Sequence, residues 1–318
     1  MNHYIMDCYE TKREILKFSK KMSEGLNKQK VKFVCEMQYG LSKGKSCLIS
    51  EIARSLEEDI KLKNTIERLC DNLQALKEEE IELVKEKYLR EVKKYISDEA
   101  IAIFDDSDIA KRYGKKFEDL DQVIDASDKD QKVTNGYHVC EAVILGEKEK
   151  QPISVYSKIY SCKSDGFVSK NKYTKDSIDT VTKVLKGKSN MVFDRGYDDN
   201  KIIEHVDKSG NYFIIRMNDR RNFLFKGRKK NAYEEALKRK GKVKMELWFE
   251  DEKKEISVSH TRVALPYNKK EYELVFVYGL SEDRPLMLLT NRSIHSKEEV
   301  IKVVRLYFYR WRVEEYFR

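Results

Sequence analysis

The sequence has few prolines and no long hydrophobic run. Three prolines and 13 glycines among 318 residues exclude collagen-like and low-complexity chains. No apolar segment approaches the roughly 18 residues that a membrane-spanning helix requires, and residues 1–18 lack the apolar core and cleavage site of a signal peptide. Charged residues make up 37% of the chain and hydrophobic residues 40%, which is typical of a globular protein. We therefore predict a cytoplasmic protein with no membrane segment.

The six cysteines are scattered, and no two of them form a Cys-x-x-Cys pair. This spacing excludes a zinc ribbon and a thioredoxin-type motif, and the lack of a secretion signal predicts reduced thiols. The five histidines also lie far apart in the sequence, so no metal or nucleophilic site built on histidine is indicated unless folding gathers two of them.

The positive charge is concentrated in the last third of the chain. The net charge is +9, and residues 201–318 carry 27 basic against 18 acidic side chains, while the rest of the chain is close to neutral. Within residues 215–242 there are 11 basic residues and 3 acidic ones. Such a run is often no more than a solvated surface, but a local excess of this size is also typical of a face that binds phosphates. We expect a polyanionic partner.

The first third of the chain is predicted to be helical. Over residues 10–95, apolar residues recur at steps of three and four without any proline. Gly40 and Gly44 separate a helix at about 29–39 from a second helix, for which Ser50 is the expected N-cap. Two short helices around such a turn suit either a helix-turn-helix DNA reader or an ordinary helical bundle. We assign residues 1–96 to a helical, DNA-binding domain.

Strands alternate with helices from about residue 97 onward. Three strand-like runs at 100–104, 136–145 and 152–161 precede a helix at 174–187 that stops at Gly187, and strand, helix, strand follow. This order predicts an α/β domain with a mixed sheet over residues 97–318. A β-rich insertion at about 222–284 interrupts it, and residues 296–318 are predicted to form one amphipathic helix with a capping box.

Three carboxylates are the candidate catalytic residues. Asp105 and Asp194 are placed at strand ends, and Glu314 lies on the last helix. Carboxylates at the carboxyl ends of strands point into the crevice where α/β sheets bind ligands. Three oxygen donors without histidine or cysteine suit Mg²⁺ or Mn²⁺, and two such ions can activate an attacking oxygen and stabilise a leaving oxygen. The alternative is that each aspartate is an ordinary turn residue.

The last helix adds a second signal. Tyr307, Arg310 and Glu314 are spaced by three and four residues, which places them on one face of a helix. The arginine could steady the glutamate or hold a phosphate. The alternative is a surface ion pair of a few tenths of a kcal/mol.

These residues resemble the signature of insertion-sequence transposases of the IS-four type. In that signature a Tyr is followed after two residues by Arg and after three more by Glu, as in YFYRWRVEEYFR, and after six more by a Lys that would fall three residues beyond Arg318. FDRGYDD resembles the second-aspartate motif, with Asp194 as the ligand. IAIFDDSDIAK resembles the first-aspartate strand, where Asp105 is the choice and Asp106 the alternative. The resemblance covers residues 100–318.

The resemblance implies a fold, a chemistry and a set of partners. It implies a ribonuclease-H-like catalytic core with a five-stranded mixed sheet, preceded by the helical domain. Asp105, Asp194 and Glu314 would bind two Mg²⁺ or Mn²⁺ ions and cleave double-stranded DNA at transposon ends, followed by strand transfer into target DNA. A homodimer on the DNA and an association with the nucleoid are implied too. Arg195, Tyr197, Tyr307 and Arg310 are implied as supporting or phosphate-contacting residues.

Two further groups are expected to meet DNA. The basic run supplies Arg220, Arg221, Arg228, Lys229 and Lys230 as DNA-binding residues. Trp248, in a predicted strand of the insertion, is a candidate for stacking on an unpaired base, although a tryptophan in a strand more often packs in a core. Trp311 is expected to pack the last helix on the sheet.

Two alternatives to a transposase stay open. One is a ribonuclease-H-like nuclease with the same metal site but no strand transfer, and the other is a DNA-binding transposase remnant without activity. The predicted last helix stops at Arg318 without a C-terminal cap, and the signature extends beyond it, so we expect the chain to be truncated at its C-terminus. Because Glu314 lies four residues from Arg318 and helix ends fray, we also expect the chain to be weakly active.

Overall fold

A computed structural model of the chain divides into two compact units, Met1–Lys94 and Tyr95–Arg318. The division lies two residues before the one predicted from the sequence. The described residues are 2–97, 99–125, 130–148, 150–185, 189–249, 252–281 and 284–317. The predicted helix stop at Gly187 lies outside them.

The first unit is helical. Its helices are α1 (Asn2–Met22), α2 (Lys28–Gly44), α3 (Ile49–Leu56), α4 (Leu62–Gln74) and α5 (Glu78–Val92). Buried Phe33, Ile52 and Leu69 join α2, α3 and α4 in one hydrophobic cluster. The prediction of a helical N-terminal region is therefore confirmed by the structure, whereas its DNA-binding role stays a prediction.

The turn between α2 and α3 differs from the expected one. Helix α2 continues through Gly40 to Gly44. Gly40 faces Ile52 of α3 so closely that a Cβ atom there would lie 2.5 Å from the Ile52 side chain. The N-cap of α3 is Leu48, which makes no side-chain cap bond, so the assignment of Ser50 as N-cap is wrong. Close helix packing, and not a helix stop, accounts for Gly40.

The second unit is built on a mixed sheet. Its strands are β1 (Ile101–Ala110), β2 (Asp121–Ile124), β3 (Val133–Leu145), β4 (Pro152–Tyr160), β5 (Asn190–Phe193), β6 (Tyr212–Arg216), β7 (Asn222–Phe225), β8 (Arg228–Asn231), β9 (Val243–Phe249), β10 (Glu252–Ala264), β11 (Glu271–Tyr278) and β12 (Leu286–Thr290). Its helices are α6 (Lys170–Leu185), α7 (Asn200–Lys208), α8 (Ala232–Leu237), α9 (Lys297–Phe308) and α10 (Trp311–Phe317).

Five strands reproduce the predicted catalytic core. They lie in the order β4-β3-β1-β5-β6, with β1 parallel to β5 and β5 parallel to β6, while β3 is antiparallel to both of its neighbours β1 and β4. This mixed arrangement confirms the ribonuclease-H-like fold.

The β-rich insertion continues this sheet. Strand β12 pairs antiparallel with β6, β11 pairs with β12, and β10 pairs with β11, β9 and β7. The five core strands thus belong to a sheet of twelve strands among the described residues. The hairpin β7–β8 and helix α8 were not expected from the sequence.

Helices cover both faces of the core sheet. Apolar residues of β1, β5, β6 and β10–β12 form one cluster with Val300, Val303 and Val304 of α9. On the other side, α6 packs against β3 and β4, and α7 packs against β6. The predicted capping box of α9 is present: the Ser296 hydroxyl accepts from the Glu299 amide, and the Glu299 carboxylate accepts from the Ser296 amide at 3.0 Å. No helix among the described residues has the length and apolar character to span a membrane.

Candidate active site

The two aspartates lie side by side on neighbouring parallel strands. The register of β1 and β5 pairs Phe104 with Phe193, so Asp105 and Asp194 are the next residues along each strand. The phenyl rings of Phe104 and Phe193 stack 4.4 Å apart on one face of the sheet. Since side chains alternate between faces, both carboxylates project from the opposite face, the one that α9 covers.

Asp105 was predicted to end its strand, but it does not. Strand β1 continues to Ala110 because β3 pairs with it over its whole polar second half, up to Ala110 with Gly136. Asp194, in contrast, directly follows β5 as predicted. It precedes a short 3-10 turn, Arg195–Tyr197, without capping it through its side chain, so its carboxylate remains available in the site. Asp194 does open a turn, as the alternative interpretation has it, through its backbone carbonyl, which accepts from the Tyr197 amide at 3.1 Å.

Asp106, the alternative to Asp105, points to the other face of the sheet. Its carboxylate pairs with Lys170 at the start of α6, at 2.8 Å. Buried Tyr197 lies on this side too, and the burial of its hydroxyl together with the negative charge of Asp106 raises its pKa well above the usual value. The geometry therefore favours Asp105 as the residue next to Asp194. The Tyr197 side chain is buried on the same face as Asp106 and is only 4% exposed.

The segment that carries Glu314 is broken in the middle. We expected one helix from Ser296 onward, but α9 ends at Phe308 and α10 begins at Trp311. At the break the backbone follows three-residue hydrogen bonds, from the Arg310 amide to the Tyr307 carbonyl and from the Arg312 amide to the Tyr309 carbonyl, each 3.0 Å. The single-helix prediction is wrong: a turn at Tyr309 and Arg310, and not one continuous helix, connects Tyr307 to Glu314.

Arg310 contacts two of the three carboxylates, those of Asp105 and Glu314. Its Nη2 atom donates to Glu314 Oε1 at 3.1 Å, and its Nη1 atom lies 3.8 Å from Asp105 Oδ2. The Arg310 side chain is only 10% exposed, and its Nε atom has no hydrogen-bond partner among the described residues. The negative charges of Asp194, Asp105 and Glu314 help to raise the pKa of Arg310 against the effect of its burial. One buried guanidinium thus lies between Asp105 and Glu314, and the charge of Asp194 also acts on it.

Tyr307 and Arg216 complete the surroundings of Asp194. The Tyr307 hydroxyl donates to Asp194 Oδ1 at 3.3 Å, and burial together with the Asp194 charge raises the pKa of Tyr307 to about 12. Arg216 Nη1 lies 3.6 Å from the same oxygen. Because β5 and β6 pair Phe193 with Ile215, Arg216 stands in the same row as the two aspartates. From the sequence alone, Arg216 was only one member of the basic run at 215–242 and had no predicted place in the site.

Burial raises the pKa of Asp105 to about 6, despite the nearby positive charge of Arg310 that lowers it. The neighbouring carboxylate of Asp194 also raises this pKa. A half-buried pair of aspartates with this electrostatic cost suits the binding of a cation between them. The donors are all carboxylate oxygens, which match the preference of Mg²⁺ and Mn²⁺. The residues present therefore fit a divalent metal.

A cavity of about 360 Å³ opens beside the carboxylates. Its lining includes four arginines, of which Arg195 and Arg284 are exposed and Arg216 and Arg310 belong to the carboxylate site. The aromatic rings of Phe249, Phe308 and Trp311 form another part of the wall. A cavity that joins positive charge to flat apolar surface, next to a group of carboxylates, suits a nucleic-acid strand.

The predicted DNA-binding residues divide into two groups. Arg228, Lys229 and Lys230 form strand β8 of an exposed hairpin, and Arg220 is exposed just before it. Lys230 pairs with Glu235 at 3.1 Å. Arg221 is instead half-buried, where it pairs with Asp198 at 3.4 Å. Arg220, Arg228 and Lys229 therefore offer exposed positive charge, while Lys230 and Arg221 are held in ion pairs.

The two tryptophans differ in their exposure and in their contacts. Trp248 on β9 is 72% exposed, so the core role weighed for it is wrong, while base stacking stays a prediction. Its neighbour Phe249 packs edge-on against Trp311, with ring centroids 5.5 Å apart, and against Phe308. Trp311 thus packs the last segment against strand β9 of the insertion, as the sequence analysis expected in outline.

Several solved structures are similar to the chain at low identity. One is a piggyBac transposase synaptic complex with hairpin DNA, with 9% identity, a TM-score of 0.46, and coverage of 91% of this chain and 59% of that one. Another is endonuclease V from Ciona intestinalis in complex with a 23mer DNA, with 15% identity, a TM-score of 0.32, and coverage of 73% and 90%. The chain thus spans about 59% of the transposase it matches. Among curated proteins, no sequence matches the chain.

The comparison with protein families gives a match over most of the chain. The family model described as the transposase DDE domain matches residues 103–318. The matched range begins within β1, two residues before Asp105, and contains Asp194, Arg310 and Glu314. The chain belongs to the transposase DDE domain family.

Proposed function

We propose that the chain is an IS-four-type transposase that cuts double-stranded DNA at insertion-sequence ends and joins the freed ends to target DNA. The observation that carries this proposal is the row of Asp105 and Asp194 on parallel strands, linked through buried Arg310 to Glu314. Asp105, Asp194 and Glu314 would hold two Mg²⁺ or Mn²⁺ ions. When bound, such ions activate an attacking oxygen and stabilise the leaving oxygen of a phosphodiester.

The other residues of the site would position the DNA and the carboxylates. Arg310 holds Glu314 through its 3.1 Å bond, and Tyr307 orients Asp194 by donating to one of its oxygens. Arg195, Arg216 and Arg284 line the adjacent cavity, where guanidinium groups would bind phosphates. The reaction needs no covalent bond between protein and DNA, so it requires no serine, cysteine or tyrosine nucleophile.

The proposal extends to the partners of the whole protein. The exposed hairpin β7–β8, with Arg220 beside it, would contact the DNA backbone, and exposed Trp248 would stack on an unpaired base. A helical DNA-binding domain at 1–96 and a homodimer on paired transposon ends complete the proposal. The activity would place the chain on the nucleoid in the cytoplasm.

The test is a combined cleavage and strand-transfer assay. The full chain is incubated with Mg²⁺ or Mn²⁺, a labelled DNA fragment that carries the sequences flanking its gene, and a plasmid target. Labelled plasmid is the expected product. Cleavage without joining would instead indicate a nuclease, and DNA binding without cleavage would indicate an inactive remnant.

The raised pKa of Asp105 predicts how metal binding depends on pH. The ionised form binds the metal, and with a pKa of about 6 its fraction is nearly complete above pH 7. Below pH 6 that fraction falls about tenfold per pH unit. We therefore expect Mn²⁺ affinity, measured by titration calorimetry, to be roughly tenfold weaker at pH 5 than at pH 7.5. Equal affinities at the two pH values would show that Asp105 ionises normally and contradict its placement in a buried pair.

The exposed hairpin predicts the salt dependence of DNA binding. Each phosphate neutralised adds about −0.9 to the slope of log K against log salt. Because Lys230 is paired with Glu235, Arg228→Ala with Lys229→Ala should flatten the slope by about two units, and adding Lys230→Ala should bring the change to at most about three. The control replaces Lys115 and Lys116, which are exposed on the β1–β2 connection, with alanine. If both variants changed the slope equally, the hairpin would have no special role.

A further inference from the structure

A second group of metal-binding side chains lies at the edge of the core sheet. Asp108 is on β1, Asp121 opens β2, His138 is on β3, and Cys162 follows β4 by two residues. Strand β3 pairs with all three of the other strands. The pairing sets His138 opposite Asp108 on one side and Tyr160 on the other. Folding thus gathers a histidine and a cysteine that are far apart in the sequence.

The ligand atoms of three of these residues are close enough to share one ion. One ligand atom each from Asp121, His138 and Cys162 lies within 4.8 Å of the other two. His138 Nε2 is 3.6 Å from Asp121 Oδ2. Tetrahedral zinc, with ligand distances of about 2.0–2.3 Å, needs neighbouring donor atoms about 3.3–3.7 Å apart. The histidine and the aspartate already have this separation.

The histidine ring is fixed in the orientation that a metal ligand requires. His138 Nδ1 lies 2.7 Å from Asp108 Oδ1, which leaves Nε2 turned towards Asp121. Zinc-binding histidines commonly donate their second ring nitrogen to a carboxylate in this way, which fixes the tautomer. The ring of Tyr160 lies 5.4 Å from the imidazole and supports it. Asp108 therefore acts as a positioning residue.

We propose that Asp121, His138 and Cys162 form a binding site for Zn²⁺ that is separate from the carboxylate site. Mixed nitrogen, sulfur and carboxylate ligands favour zinc over magnesium. Cys162 binds as the thiolate, so its thiol proton is released to solvent, and a water molecule fills the fourth position. Cys162 is exposed and the two other ligands are half-buried, so the ion has an open path to the site.

The zinc site lies on the opposite face of the sheet from the catalytic carboxylates. Asp108 is two residues from Asp106 on β1 and therefore shares its face, whereas Asp105 projects from the other one. The ion would tie the start of β2 and the turn after β4 to strand β3. Its role is to hold this edge of the sheet, and the proposal does not depend on DNA cleavage.

The experiment replaces zinc with Co²⁺ in the full chain. A cobalt–thiolate bond gives a near-ultraviolet charge-transfer band that carboxylate ligands cannot produce, so the catalytic site does not contribute to it. We expect the band at one Co²⁺ per chain, its displacement by one equivalent of Zn²⁺, and its loss in Cys162→Ser. Asp108→Asn should weaken Co²⁺ binding by about 10–100-fold.

Two controls define the result that would overturn the proposal. Cys47→Ser removes another exposed cysteine, and Asp105→Asn removes a catalytic carboxylate, so both should retain the band. Zn²⁺ should also raise the melting temperature of the wild-type chain but not that of Cys162→Ser, whose exposed position tolerates serine. No band in the wild type, a band that survives Cys162→Ser, or one lost in either control would refute the site.

Discussion

We expect Asp194→Asn to reduce metal-dependent cleavage of end-containing DNA by about 10³-fold or more. The substitution keeps the shape of the side chain and its place after β5, but it removes one negative oxygen beside Asp105. Bound metal contributes several kcal/mol to phosphodiester cleavage, and each 1.36 kcal/mol corresponds to a tenfold change in rate. DNA affinity should change less than twofold, since the carboxylate contacts no base. Single-turnover cleavage and filter binding measure the two quantities.

The matched control is Asp165→Asn, which makes the same chemical change at an exposed loop position of the same unit. We expect wild-type cleavage from it. Wild-type cleavage by Asp194→Asn as well would mean that Asp194 is not a metal ligand.

Arg310→Met is expected to cause the second largest loss of cleavage activity, after Asp194→Asn. The variant leaves Asp105 and Glu314 without the buried cation that lies between them, while the methionine still fills the space. Removing one partner of a buried ion pair costs about 3–5 kcal/mol of unfolding free energy. We expect a lower melting temperature without metal, partial recovery with Mg²⁺ because the ions replace the lost charge, and cleavage reduced by about 10²-fold.

Arg305→Met provides the control for this variant, because Arg305 is exposed on helix α9, which directly precedes the turn that contains Arg310. Its stability and cleavage should match those of the wild type. A separate readout identifies the positioning role: in Arg310→Met the pH at which Mn²⁺ binding is half-lost should rise, since Arg310 lowers the pKa of Asp105. An unchanged midpoint, or Mg²⁺ that does not restore stability, would contradict the central position of Arg310.

The core strands could be predicted from the sequence, because the pattern that marks each of them lies within a few neighbouring residues. Buried runs such as IAIF and MVF consist of apolar residues bounded by polar ones, and each lies in a strand of the catalytic core. The joining of the insertion to the same sheet was not predictable, because it depends on the pairing of β12 with β6. That pairing joins residues more than 70 positions apart, and no pattern of neighbouring residues predicts it.

The errors within the site have the same cause. The polar run after Phe104 suggested a turn, but β3 supplies a pairing partner as far as Ala110. Residues 309 and 310 carry neither glycine nor proline, so nothing local predicted the break between α9 and α10. Buried Arg310 contacts carboxylates from both the sheet and α10, and these tertiary contacts accompany the break.

Other functional candidates emerged only from strand register. Arg216 was one of 11 basic residues in a run until the pairing of β5 with β6 placed it in the row of the aspartates. In the same way, His138 and Cys162 had no signal in the sequence, because their separation of 24 residues matches no zinc motif. A search for charged residues aligned across neighbouring strands would have identified Arg216, but only if the strand register had been known.

We propose that Asp105, Asp194 and Glu314 together hold the divalent metal ions. The most direct measurement is the number of Mn²⁺ ions bound per chain, counted by electron paramagnetic resonance at pH 7.5 on a DNA-bound Cys162→Ser chain, which lacks the thiolate of the edge site. We predict two ions in this chain, and loss of at least one with each of Asp105→Asn, Asp194→Asn and Glu314→Gln. Two bound ions in all three variants would show that these three carboxylates do not hold the metal ions.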